Sequence, residues 1–238
     1  MTMQQSKISF DSLLSSSRRT LLRQTLGESV VIDDTLTSAL STFKSRWQSL
    51  KAASTDNWVD TAMSQKAHED AQVDWLIELF DCTFSRYRTH LVRSAGEPEY
   101  FPATNTTPAR IAFAHGFFAS ALHEISHWCV AGAHRRTLPD FGYWYAPDGR
   151  TQTQQAAFEQ VEIKPQAIEC LLTLACGRKF SVSQDNLFAN FDTSKSTFAQ
   201  DVYNQVEDYL DTPHHLPRDA RTLLWVLLTV CWSEPLAV

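Results

Sequence analysis

Large apolar residues recur at steps of three and four along several stretches of the chain, and this spacing predicts amphipathic helices. The clearest stripes are at residues 36–50, 73–87 and 198–209. Asp33 and Asp34 open the first stripe, because a carboxylate can accept hydrogen bonds from the free N–H groups of a first helical turn. Residues 152–176 predict another helix, which is interrupted at Pro165 and closed by Gly177.

The middle of the chain carries the few segments that predict extended structure. Residues 96–108 are rich in Pro, Thr and Asn, and they predict a loop that holds a short extended piece at Tyr100 and Phe101. Residues 141–145 predict a strand that enters a Pro-Asp-Gly turn. Residues 110–130 form a long apolar segment that ends as a helix. We therefore expect an α+β fold: a mostly helical domain with a small sheet beside that helix.

A polar, weakly patterned segment at residues 57–70 separates the first two helical stripes. It predicts a boundary near residue 70. Residues 1–70 would form a helical N-terminal extension, and residues 71–238 would form the domain that carries the chemistry.

Composition narrows the classes of protein that the chain can represent. The formal charge is −6, from 21 Lys+Arg against 27 Asp+Glu, and no basic cluster is present, which argues against nucleic-acid binding. The longest apolar stretch, residues 223–232, is about half of what a bilayer requires, so no membrane span is expected. The five cysteines form no CxxC pair and are odd in number, which favours reduced thiols and a cytoplasmic location.

Residues 123–127 read His-Glu-Ile-Ser-His and predict a metal site on the central helix. Histidines four residues apart lie on one helical face, so both imidazoles can reach the same metal ion. Glu124 follows the first histidine and can reach the open coordination position. We expect His123 and His127 to be ligands and Glu124 to be catalytic.

A catalytic metal ion usually takes three protein ligands and keeps one position open. The third ligand is not a histidine of the H-E-x-x-H-x-x-G-x-x-H pattern, because His134 stands one residue too late. A carboxylate from the helix predicted at residues 152–176 is the other source. The candidates are Glu159, Glu162 and Glu169.

Glu162 is the favoured carboxylate ligand. It has apolar neighbours on both sides, and the helix that follows it is clearly part of a core. Pro165 clashes with the carbonyl of Val161 and distorts the turn that carries Glu162, and such distortions are often found where a functional side chain must be aimed. Glu159 would then hold an imidazole N–H, or it would be the alternative ligand.

Two histidines and one carboxylate fit two chemistries. With Zn²⁺, Glu124 would deprotonate a bound water, and the protein would be a peptidase. With Fe(II), the same ligands are the facial triad of non-haem oxygenases, which leaves positions for O₂ and substrate. The motif alone favours zinc. A third hypothesis is a non-catalytic module stabilised by a metal ion, but a structural site would have all its positions filled by protein.

Longer blocks surround the motif, and they resemble the bacterial elongation factor P hydroxylase family. The blocks are residues 111–129, 140–150 and 158–167, and the resemblance spans roughly residues 72–210. It implies a monooxygenase that hydroxylates the β-lysylated lysine of elongation factor P, on a fold unrelated to the 2-oxoglutarate oxygenase barrel. His123 and His127 match the family's ligands, and its acidic ligand falls within residues 158–162.

The leading hypothesis from the sequence is therefore a non-haem iron protein-lysine hydroxylase. It would use Fe(II), although zinc could be present after purification, with O₂ as co-substrate and lysylated elongation factor P as partner. The alternative is a zinc-dependent peptidase with the same three ligands and Glu124 as the base.

Overall fold

The computed structural model describes residues 8–55, 62–143, 149–184 and 196–232 of the chain. The helices of these residues are α1 (Ser16–Gly27), α2 (Asp34–Thr55), α3 (Ala62–Thr83), α4 (Phe118–Arg135), α5 (Gln152–Ala175), α6 (Phe198–Asp211) and α7 (Arg218–Val230). Three short strands lie between α3 and α4, namely β1 (Thr89–Ser94), β2 (Glu99–Phe101) and β3 (Ala109–Ala114).

The strands form one mixed sheet in the order β1-β3-β2. β1 runs parallel to β3 with Leu91 opposite Ile111, and β2 runs antiparallel to β3 with Tyr100 opposite Ile111. These three side chains are buried, since residues that are level across a sheet point to the same face. β1 packs against α3, and β3 packs against α4. The predicted α+β fold with a small sheet is confirmed.

The helical stripes of the sequence become buried helix faces. Asp33 precedes α2, and its Oδ1 accepts a hydrogen bond from the backbone N–H of Leu36 at 2.7 Å, as expected for a residue that caps a helix. The four buried residues of α6 are those of the third stripe: Phe198, Val202, Val206 and Tyr209. Among the described residues, no helix is both long and apolar enough to span a membrane.

Two local expectations differ from the structure. α5 continues through Pro165 instead of being interrupted there. Pro165 is buried within this continuous helix, although its ring nitrogen has no N–H to donate. The strand predicted at residues 141–145 is wrong at its start, because Phe141 lies in a 3₁₀ turn, Pro139–Gly142, with a φ of 57°. The Phe141 ring stacks on Tyr100 with 4.1 Å between centroids. The rest of that segment, from residue 144, lies outside the described residues.

The boundary predicted near residue 70 falls within α3. Helices on both sides of it contribute to the same hydrophobic core, in which Trp47 of α2 and Trp75 of α3 contact each other with 4.4 Å between ring centroids. The division into an extension and a catalytic domain stays a prediction from the sequence.

Candidate metal centre

The two histidines of the motif and one carboxylate converge between α4 and α5. His123 and His127 stand one turn apart on α4, and their Nε2 atoms are 3.1 Å apart. Glu162 of α5 faces them, with Oε1 at 3.3 Å from His127 Nε2 and Oε2 at 3.7 Å from His123 Nε2. The sequence-predicted ligand set is therefore brought together in space.

The spacing of these ligand atoms suits one metal ion. A metal about 2.1 Å from two ligand atoms places those atoms about 3.0–3.4 Å apart, for bond angles between 90° and 109°. Glu162 Oε2 is buried and accepts no hydrogen bond from the described residues. Such a buried oxygen is costly unless a cation or donor meets it. The three residues thus fit a metal ion. Within the described part of the chain, they are the group of histidines and carboxylates whose possible ligand atoms lie within 4.8 Å of one another.

Burial and nearby charges shift the pKa values of two residues of this cluster. Burial would lower the pKa of His123, but its hydrogen bond to Glu169 and the other carboxylates nearby raise that pKa to about 10. Burial would raise the pKa of Glu162, but the positive charges and hydrogen bond of the histidines lower it to about 2. A metal cation would take the place of the proton on the imidazole beside the ionised Glu162.

Glu169 is the carboxylate that contacts the ring of His123 on the side away from the cluster. Its Oε2 lies 2.8 Å from Nδ1 of His123. When Nδ1–H donates to Glu169, Nε2 keeps its lone pair for the metal, which is the arrangement that fixes a metal-binding imidazole. From the sequence, Glu159 is expected in this position, or as the alternative ligand. Glu159 instead accepts hydrogen bonds from Gln155 and Ser196, away from the converging ligand atoms.

A signal for Glu169 was present in the sequence, because it shares a face of α5 with Glu162, seven residues earlier. The contacts show that α5 runs antiparallel to α4: the earlier histidine meets the later carboxylate, and the later histidine meets the earlier one. The direction of this packing cannot be seen from residue spacing within a single helix.

Glu124 lies beside the cluster and is partly buried. Burial raises its pKa, and the positive charges of His123 and His127 oppose that rise. Its proximity to both histidines agrees with the predicted place of Glu124, and its catalytic role stays a prediction. His134 is exposed near the end of α4, beyond the non-helical Gly132.

Replacing Glu169 with alanine is expected to weaken metal binding about 10- to 100-fold, the loss typical when a ligand histidine loses its orienting partner. The glutamine variant should lose less, because its amide oxygen can still accept the Nδ1–H bond. Calorimetric titration of the metal-depleted protein with Zn²⁺ measures both affinities. Wild-type affinity in the alanine variant would show that the imidazole needs no orientation by Glu169.

Comparison with known proteins identifies the chain's relatives. The sequence model of a family described as "Elongation factor P hydroxylase" matches residues 79–236. The chain belongs to the elongation factor P hydroxylase family. The resemblance seen in the sequence is thereby confirmed, and the match continues past residue 210. His123, His127 and Glu162 all lie within the region that matches this family.

One relative aligns with about two thirds of the chain. The elongation factor P lysine hydroxylase of Haemophilus influenzae is 48% identical over 161 residues, which make up 67% of this chain and 89% of the relative. Membership of the elongation factor P hydroxylase family does not favour the zinc peptidase alternative.

Proposed function

We propose that this protein hydroxylates a lysine of elongation factor P, in the form that already carries a β-lysyl group. The observation that carries the proposal is the 48% identity to a protein named elongation factor P lysine hydroxylase, together with the family match over residues 79–236, which include all three residues of the proposed metal site. Elongation factor P is then the protein partner, and the reaction takes place in the cytoplasm, where translation occurs.

The cofactor we propose is Fe(II), with O₂ as the second substrate of a monooxygenase. His123, His127 and Glu162 would hold the metal, and two histidines with one carboxylate are the ligand set of non-haem iron oxygenases, in which the iron supplies O₂ activation. Three protein ligands leave coordination positions open, as catalysis requires. The role of Glu169 is to hold the His123 ring in place through Nδ1.

The charge of the site suits a lysylated substrate, which is cationic. Glu124 stands at a partly exposed position next to the cluster. It is not one of the three proposed ligands, so its carboxylate charge is not offset by direct bonding to the metal ion, as that of Glu162 would be. Negative charge in a partly desolvated site attracts an ammonium group more strongly than it would in bulk water. We propose that Glu124 acts on the substrate side of the metal, as the catalytic residue.

The test is peptide mass spectrometry of elongation factor P from cells that lack this protein, supplied with either the wild-type chain or the His123→Ala variant. We expect one additional oxygen atom on the lysylated peptide with the wild-type chain only. An unchanged peptide mass with the wild-type chain would contradict the proposal. Iron found in the purified active protein, and restored activity when Fe(II) and not Zn²⁺ is added to the metal-free protein, would support the choice of metal.

A further inference from the structure

The helix that carries both histidines lacks a side-chain cap of its own. The residue before its first turn is Phe117. Its side chain has no oxygen, so it cannot accept a hydrogen bond from the free backbone N–H groups of that turn. The backbone N–H of Phe118 instead donates to Oε1 of Glu69 at 3.0 Å, across 49 residues of sequence. A carboxylate at this end of a helix also meets the positive end of the helix dipole.

The second oxygen of the same carboxylate is bound to the far end of α5. Oε2 of Glu69 lies 2.7 Å from the guanidinium of Arg178, which comes shortly after the last residue of α5. The chain turns there through Gly177, whose φ is 71°. The Arg178 guanidinium also lies 4.5 Å from the centre of the Phe118 ring and donates to Gln72 of α3. One carboxylate therefore holds the start of α4 against the end of α5.

The surroundings of this contact are well packed. Phe118 is fully buried, and its ring lies 6.0 Å from that of Trp47. Trp47, Glu69 and Gln72 all precede residue 79, where the match to the family begins. The N-terminal part of the chain thus supplies several of the groups that surround the first turn of the histidine helix, and Arg178 supplies another.

We propose that Glu69 is a positioning residue for the metal centre. It lies on α3, before the region matched by the family, and it acts by fixing how α4 packs against α5. The ligand atoms of the cluster lie 3.1–3.7 Å apart and come from both of these helices. His123 follows Phe118 by five residues, which is about 7.5 Å along a helix. A displacement of α4 by a fraction of an ångström, whether by sliding or by rotation, would change the distances between the histidines and Glu162. This inference rests on the proposed metal site.

The experiment compares the full-length chain with Glu69→Ala and Glu69→Gln, using Co²⁺ as the probe. Its visible absorption reports both affinity and coordination geometry. Glu78→Gln is the matched control. Glu78 is also on α3 and also forms an ion pair with an arginine, but this partner is Arg46 of α2, so the pair does not join α3 to α4. The His127→Ala variant identifies the absorption that belongs to the metal site, and circular dichroism with thermal unfolding reports the fold.

We expect Glu69→Ala to bind Co²⁺ roughly fivefold more weakly with altered absorption, which is less than the about 10- to 100-fold loss typical of a residue that contacts a metal ligand directly. Glu69→Gln should retain more of the affinity, because its amide oxygen can still accept the Phe118 N–H bond. Glu78→Gln should bind like the wild type. Unchanged Co²⁺ binding in both Glu69 variants, or an equal loss in Glu78→Gln, would overturn the inference. Absence of Co²⁺ binding by the wild-type chain would instead overturn the metal site, and the inference with it.

Discussion

Replacing Glu162 with alanine should abolish hydroxylation of elongation factor P and lower metal affinity by more than about 100-fold. Residues that merely orient a metal ligand contribute about 10- to 100-fold, so a ligand itself should contribute more. Glu162 is the one carboxylate within reach of both histidine Nε2 atoms in the described cluster. The loss is measured by the metal content of the purified variant and by the mass of the lysylated peptide.

Glu159→Ala is the matched control for this prediction. Glu159 lies less than one turn away on the same helix and has the same side chain, but its oxygens are bound to Gln155 and Ser196. It should keep its metal and its activity. If Glu159→Ala lost the metal while Glu162→Ala kept it, the ligand assignment would be reversed, and the alternative ligand weighed from the sequence would be the correct one.

The three proposed metal ligands differ in how well the sequence alone could predict them. His123 and His127 are related by the geometry of one helix turn, so their spacing alone predicts that they face one metal ion. Glu162 comes from another helix, and its choice depended on apolar neighbours and a nearby proline. The place of Glu169 depended on the antiparallel packing of α4 and α5, which is a long-range property. The contact of Glu69 with Phe118 is long-range for the same reason.

A similar distinction holds for the fold. The buried faces of α2 and α6 follow from periodicity, since each stripe reports the environment of its own helix. The segment beginning at Phe141 reads as a strand because aromatic residues favour strands. In the structure Phe141 lies in a turn instead, with its ring on Tyr100, and the side chain of Asp140 accepts a hydrogen bond from the Tyr100 backbone N–H. Packing against another element decided this conformation, and propensity did not.

Breaking the buried ion pair at the end of the histidine helix is expected to cause a large loss of folding stability. Asp219 Oδ2 lies 2.7 Å from Arg136, and the two side chains are only 6% and 12% exposed. Oδ1 of Asp219 accepts a hydrogen bond from Tyr87. Asp219→Ala leaves the arginine charge buried without its carboxylate, which costs about 3–5 kcal/mol. Urea unfolding followed by circular dichroism measures the free energy.

The control is an ion pair that solvent reaches. Arg18 and Glu207 are paired at 2.8 Å, but their side chains are 41% and 29% exposed, so Glu207→Ala should cost less than about 1 kcal/mol. A loss below 1 kcal/mol in Asp219→Ala as well would show that solvent screens Arg136. Arg136 lies beyond the non-helical Gly132, whereas His127 lies before it. We therefore expect the folded fraction of Asp219→Ala to bind metal as the wild type does, which separates the stability of the fold from the geometry of the metal site.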